Sequence, residues 1–163
     1  MLRRLLIRLY LSGRGRGVSP DELKVRTLHQ LRRYLSQLEM LSVEQLAFPQ
    51  EKGKWNAQEI TYHVMKTVRY ILRVCDGLHR GIDLPPLDRS QIGRTKVVSR
   101  EILLEDCRRT AEMLEKFSFH SESKRTYVHP TLGNWDFKGW LVINLVHLER
   151  HYRALEKAIG TRQ

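Results

Sequence analysis

The feature that most constrains this chain is a helical repeat of apolar residues, set behind recognisable capping sequences. Leu23, Leu28, Leu31, Leu35, Leu38 and Leu41 recur at near-helical intervals, which gathers them on one face of a helix. Ser19-Pro20-Asp21-Glu22 stands in front of them, a capping box with proline at the first helical position. A first helix is therefore expected from Ser19 to about Leu41. Asn56-Ala57-Gln58-Glu59 is a second capping box, followed by Ile60, Val64, Val68, Ile71 and Cys75 and ending near Gly81, ahead of Pro85-Pro86. Ser99 opens a third helix with Ile102, Leu103, Cys107, Ala111 and Leu114 turned inward. Asp136 caps a fourth, and Gly160 stops it. No stretch shows the alternation of a half-buried strand. The expected fold is all-α, a four-helix bundle.

The 163 residues suit one core. No run approaches the roughly 18 consecutive apolar residues of a membrane span, and two cysteines, Cys75 and Cys107, exclude a disulfide scaffold or a cysteine-based zinc finger. Both fall on inward stripes and read as small core residues. The charge is unusual, with 29 basic against 18 acidic residues and a net +11. Partitioned, it gives +5 in residues 1–17, zero in 18–65, +5 in 66–100 and +1 in 101–163. Two stretches hold the excess. No helix-turn-helix, basic zipper or aromatic-basic sheet pattern accompanies them, so nucleic acid is not the expected partner.

Residues 1–17 form a basic extension, and the domain proper is 18–163. In MLRRLLIRLYL, Leu2, Leu5, Leu6 and Leu9 make one stripe with Arg3, Arg4 and Arg8 opposite, and SGRGRG reads as a flexible basic linker. Arg8 breaks the apolar region and no small-residue cleavage site follows, so this is a poor secretory signal and a cytoplasmic protein is expected. The preferred reading is a short extra helix lying on the domain or a frayed start. Peripheral contact with an anionic membrane, or an Arg-rich transit peptide in a eukaryotic host, are the alternatives.

The connections are uneven. Gly81–Val98 is long for a turn between antiparallel neighbours. It is long enough to cross the bundle and let helices 2 and 3 run parallel. Ser118–Trp135 is also long.

The last helix carries residues that a plain bundle does not need. Advancing about 100° per residue puts Trp140, Asn144, His147 and His151 on the inward stripe, with Glu149, Arg150, Arg153 and Lys157 on the other side. Two imidazoles and an amide in a core are costly without partners. Histidines four apart on one face can reach one metal ion, and His63, one turn past Ile60, is the best third ligand. Three neutral imidazoles suit Zn²⁺, Ni²⁺ or Fe²⁺ and leave positions for water or substrate. The alternative is a buried pair hydrogen-bonded to Asn144 and backbone carbonyls. His29, His79 and His120 read as inert surface or helix-end residues. His129 either lines a pocket mouth or forms a turn with Pro130, and Trp55 and Trp135 read as hydrophobic staples.

Two motifs give these residues a family resemblance. Trp55-Asn56-Ala57-Gln58-Glu59-Ile60-Thr61-Tyr62-His63 is similar to W-[ST]-x-x-E-hydrophobic-x-x-H. His129-Pro130-Thr131-Leu132-Gly133, followed by Trp140 and His147-Leu148-Glu149-Arg150-His151, is similar to HPxxG…W…HxxxH. In this order they resemble the DinB-like superfamily over most of residues 20–160. The resemblance implies an up-down-down-up bundle and a divalent metal held by His63, His147 and His151. It implies a metal-dependent thiol S-transferase or hydrolase activity on a small-molecule substrate, with a low-molecular-weight thiol as co-substrate, and a homodimer. The alternative function is a non-catalytic, metal-stabilised module whose basic stretches meet nucleic acid or an anionic membrane. Asn56 stands where the family often has Ser or Thr, and the N-terminal extension lies outside the family pattern.

Overall fold

The computed structural model describes residues 2–48, 53–85, 98–119 and 123–160, with side chains from Leu6 onward. The four expected helices are α2 (Pro20–Met40), α4 (Ala57–Arg80), α5 (Arg100–Lys116) and α6 (Phe137–Gly160). Each starts where its capping side chain stands. Ser19 accepts from the Glu22 amide, Ser99 from the Ile102 amide, and Asp136 Oδ1 from the Gly139 amide at 2.7 Å. Asn56 Oδ1 accepts from the Glu59 amide at 2.8 Å, and the Glu59 carboxylate returns the bond to the Asn56 amide. At the other end of α4, Gly81 takes the left-handed φ of 69° that closes the helix.

Polar contacts give the helix directions. Lys24, at the start of α2, donates to the carbonyls of Glu115 and Phe117 at the end of α5. Arg100, at the start of α5, donates to Glu39 and Leu41 at the end of α2. These two helices are antiparallel. Gln58 at the start of α4 shares a cleft with Ser99 and Arg100 at the start of α5, so α4 and α5 are parallel. Along α4 and α6, His63 meets His147 and His151, while Tyr70 meets Trp140, so this pair is antiparallel. The result is up-down-down-up. Of the connection between α4 and α5, residues 86–97 lie outside the described residues.

The four helices form a ring in the order α2, α5, α4, α6, with α2 opposite α4 and α5 opposite α6. Tyr34, Leu38, Val64, Val68, Leu103, Leu114, Leu148 and Leu155 fill its centre, and Cys75 and Cys107 lie among them as expected. Tyr34 is fully buried, and its hydroxyl donates to the Leu148 carbonyl at 3.1 Å.

Four expectations are corrected. Ile102 is half exposed, because α5 packs against α2 and α4 and turns that position to water. A short helix α3 (Val43–Ala47) follows α2, opened by a full capping box of Ser42 and Gln45. The segment before α6 holds a small hairpin of β1 (Tyr127–His129) and β2 (Gly133–Trp135). The Trp140 indole pins it by donating to the Tyr127 carbonyl.

The fourth concerns the N-terminus. Helix α1 (Leu2–Gly15) continues through Ser12-Gly13-Arg14-Gly15, which is helix and not linker. It lies against α6, but by the side opposite to the predicted leucine stripe. Leu11 is buried, whereas Leu6 and Leu9 are 58% and 62% exposed. On the docking face, arginines flank Leu11. Arg14 donates to both carboxylate oxygens of Glu149 at 2.6 Å, and Arg8 stacks 5.2 Å from the Trp135 ring.

Candidate metal centre

Position and rotation of two helices bring the three histidines together. The capping box places the first turn of α4, and His63 follows one turn later, 7% exposed. Antiparallel packing puts it between His147 and His151, which stack one turn apart on α6. Ring centroids are 5.1 Å apart for His63–His147, 4.9 Å for His63–His151 and 4.4 Å for His147–His151. One nitrogen from each ring lies within 4.8 Å of the other two. A single point therefore lies within roughly 2.8 Å of all three, against a zinc–imidazole bond of about 2.0–2.1 Å. Side-chain shifts below about 1 Å would close that gap. Among the described residues this is the one such cluster of potential ligands.

The electrostatics agree with neutral rings. Burial holds the His147 imidazole well below the ordinary histidine pKa, with His151, His63, Arg150 and His129 adding repulsion. Burial first, then His63 and Arg150, brings His151 to about 4. The structure does not satisfy the pair through Asn144. His147 Nε2 is buried without a hydrogen-bond partner, and so are both polar atoms of the Asn144 amide. Three clustered imidazoles, one of them with a buried nitrogen left unpaired, fit the donor set that a borderline-soft divalent ion takes.

Trp55 is more than a staple. Its indole meets His63 edge-on at 4.8 Å and stacks over His151 at 6.3 Å, so it shields two of the rings. Two cavities flank the cluster. One, of about 490 Å³, opens on His147 between α1, the hairpin and α6. The other, of about 450 Å³, opens on His151 beside Trp55, Ile60 and Ala154.

His129 fulfils both of its expected roles. Its Nδ1 accepts from the Thr131 and Leu132 amides at 3.2 Å, ordering the hairpin turn, and its ring lines the cavity at His147. His29 and His79 are exposed, and His120 lies outside the described residues. Arg150 at the cavity and Ile7 and Leu11 on its α1 wall were not among the expected site residues. The four-residue step from Ile7 to Leu11 to Gly15 was the available signal. The basic stretch 66–100 is partly used internally: Arg69 bonds Asp106 and Thr110, and Arg80 pairs with Asp76.

These features define a helical bundle built around three histidines that could hold a metal ion. The family model of the DinB superfamily matches residues 26–155, and the chain belongs to that superfamily. No curated protein and no solved structure is significantly similar to it. Among the described residues, no helix is long and apolar enough to cross a membrane.

Proposed function

We propose that the chain is a cytoplasmic metal-dependent enzyme, a thiol S-transferase or a hydrolase, with His63, His147 and His151 as ligands of a divalent Zn, Ni or Fe ion. The observation that carries this is the cluster itself: one nitrogen from each of three imidazoles lies within 4.8 Å of the other two, beside a cavity that His147 lines. A bound dication supplies acidity, lowering the pKa of a coordinated thiol or water toward neutrality. The chain's own part is to keep His147 and His151 neutral by burial, to hold the three imidazoles in register on two rigid helices, and to shield one side with Trp55. His63 and His151 enter the site from different helices, so the cluster exists only in the folded bundle. Cavities at both His147 and His151 support open coordination positions over a closed structural site.

The test is metal analysis of the purified protein and titration with Zn²⁺ and Ni²⁺, for the native chain and for His147→Ala and His151→Ala. About one ion per chain, lost in both variants, is the expected result. A native chain that carries no metal and takes up neither ion overturns the reading. With metal binding in hand, thiol transfer and ester or amide hydrolysis are assayed in parallel, and activity in neither assay would retain the metal and reject the enzyme.

A further inference from the structure

The superfamily match begins at residue 26, so α1 lies outside it, yet α1 supplies a wall of the cavity at His147. Ile7 and Leu11 line that cavity together with Leu132 of the hairpin and Ile143 and Val146 of α6. Five aliphatic side chains from three elements thus surround a space of about 490 Å³, a size typical of small-molecule sites. The wall is fixed by anchors outside the cavity. These are the Arg14–Glu149 pair at 2.6 Å, Arg8 against Trp135, and Gly15 set so close to Val142 that an added Cβ would sit 2.9 Å from it.

The polar groups on the cavity point to one sign of charge. Among the described residues, no acidic side chain lines it. Arg150 stands on it, exposed, and pairs with no carboxylate among the described residues. Two arginines nearby are held by carboxylates, Arg14 by Glu149 and, from α2, Arg33 by Glu156. An aliphatic chamber with one unspent guanidinium is complementary to an aliphatic anion.

We propose that α1 builds a substrate subsite beside His147 for a small molecule with an aliphatic body and a single anionic group. The body lies between Ile7, Leu11 and Leu132, and the anion pairs with Arg150. The inner end of the ligand then lies next to His147, so the assignment of the ligand as substrate rests on the metal-site reading above. The binding step itself does not need the metal.

The test uses the full chain, stripped of metal by a chelator, with octanoate and its neutral analogue octanamide as probes. Binding is followed by saturation-transfer NMR and calorimetry. Both probes are expected to bind, octanoate the tighter. Arg150→Gln weakens octanoate by about two- to fivefold, the worth of a partly exposed ion pair, and leaves octanamide unchanged. Ile7→Trp fills the chamber and abolishes both, while Leu9→Trp, on the outward side of the same helix, changes neither. Circular dichroism on every variant confirms the fold; if Ile7→Trp does not fold, Ile7→Phe and Arg150→Gln carry the test. Failure of octanoate to bind the native chain, or binding indifferent to Ile7 and Arg150, overturns the subsite. Zinc titration of the same proteins separates the two readings. A native chain that takes up neither Zn²⁺ nor Ni²⁺ overturns the metal site alone, and an unchanged metal stoichiometry in Ile7→Trp and Arg150→Gln shows that only the subsite was altered.

Discussion

A buried imidazole without a partner has consequences that extend beyond the metal. His147 and His151 are held neutral by burial and by their neighbours, whereas in the unfolded chain each titrates near about 6.5. Below that pH the unfolded chain binds more protons than the folded one, so stability is full above about pH 6.5 and falls as the pH drops toward 4. For the metal-free protein, urea midpoints at pH 8, 6 and 4.5 should decline in that order, and His151→Gln should flatten the decline. A midpoint that rises on acidification would contradict the assigned burial. The thiols behave oppositely. Burial pushes Cys75 well above the usual thiol range and Cys107, with Asp106 adding to it, up to about 12. At pH 8 neither should react with a thiol reagent in the native chain, and both should react in denaturant; reaction of the native protein would disprove the packing of α4 against α5. At this scale the histidines were legible because one side chain every four residues on a single helix is a local fact. Trp55 shielding two rings, and Arg150 at a cavity, were not, because both depend on what another element brings.

Helices answer to their ends and to their closest approaches. Asn56→Ala removes the acceptor for the Glu59 amide and should cost about 1 kcal/mol. It should also loosen His63, so zinc affinity and thermal midpoint should fall together; a drop in one alone would separate the cap from the site. Glycines give a sharper contrast. A Cβ on Gly139 would lie 2.5 Å from the Trp135 ring, so Gly139→Ala should destabilise by about 1–3 kcal/mol through overpacking. Gly13 meets nothing within 4 Å, and Gly13→Ala should stabilise α1 by about 0.4–1 kcal/mol. Denaturant unfolding of the pair checks both signs. Helix boundaries were readable because caps are written in neighbouring residues. The docking side of α1 was not, since its leucines form the more apolar stripe and its arginines find Glu149 and Trp135 more than a hundred residues away. The hairpin strands are three residues each, too short for alternation to register.

For the molecule as a whole, the parallel course of α4 and α5 was permitted by the long connection and implied by the family resemblance. The ring order was readable from neither, because it depends on which stripe faces which. In that ring α2 touches α5 and α6, and so does α4, while α2 and α4 stand diagonally. A fragment ending at Pro85 therefore lacks both partners of each of its long helices. It should show no cooperative thermal transition, in contrast to the full chain; a sharp transition in the fragment would contradict the ring. The same diagonal bears on synthesis. A chain made from its N-terminus produces α2 and α4 with their leucine and valine faces open, and neither can cover the other. Those faces wait for residues 100–160, and at ribosomal speeds of about 5–20 residues per second the wait lasts seconds. During that interval the apolar faces of α2 and α4 have no α5 or α6 to pack against. The histidine cluster, shared between α4 and the last helix to emerge, is among the last features to be completed.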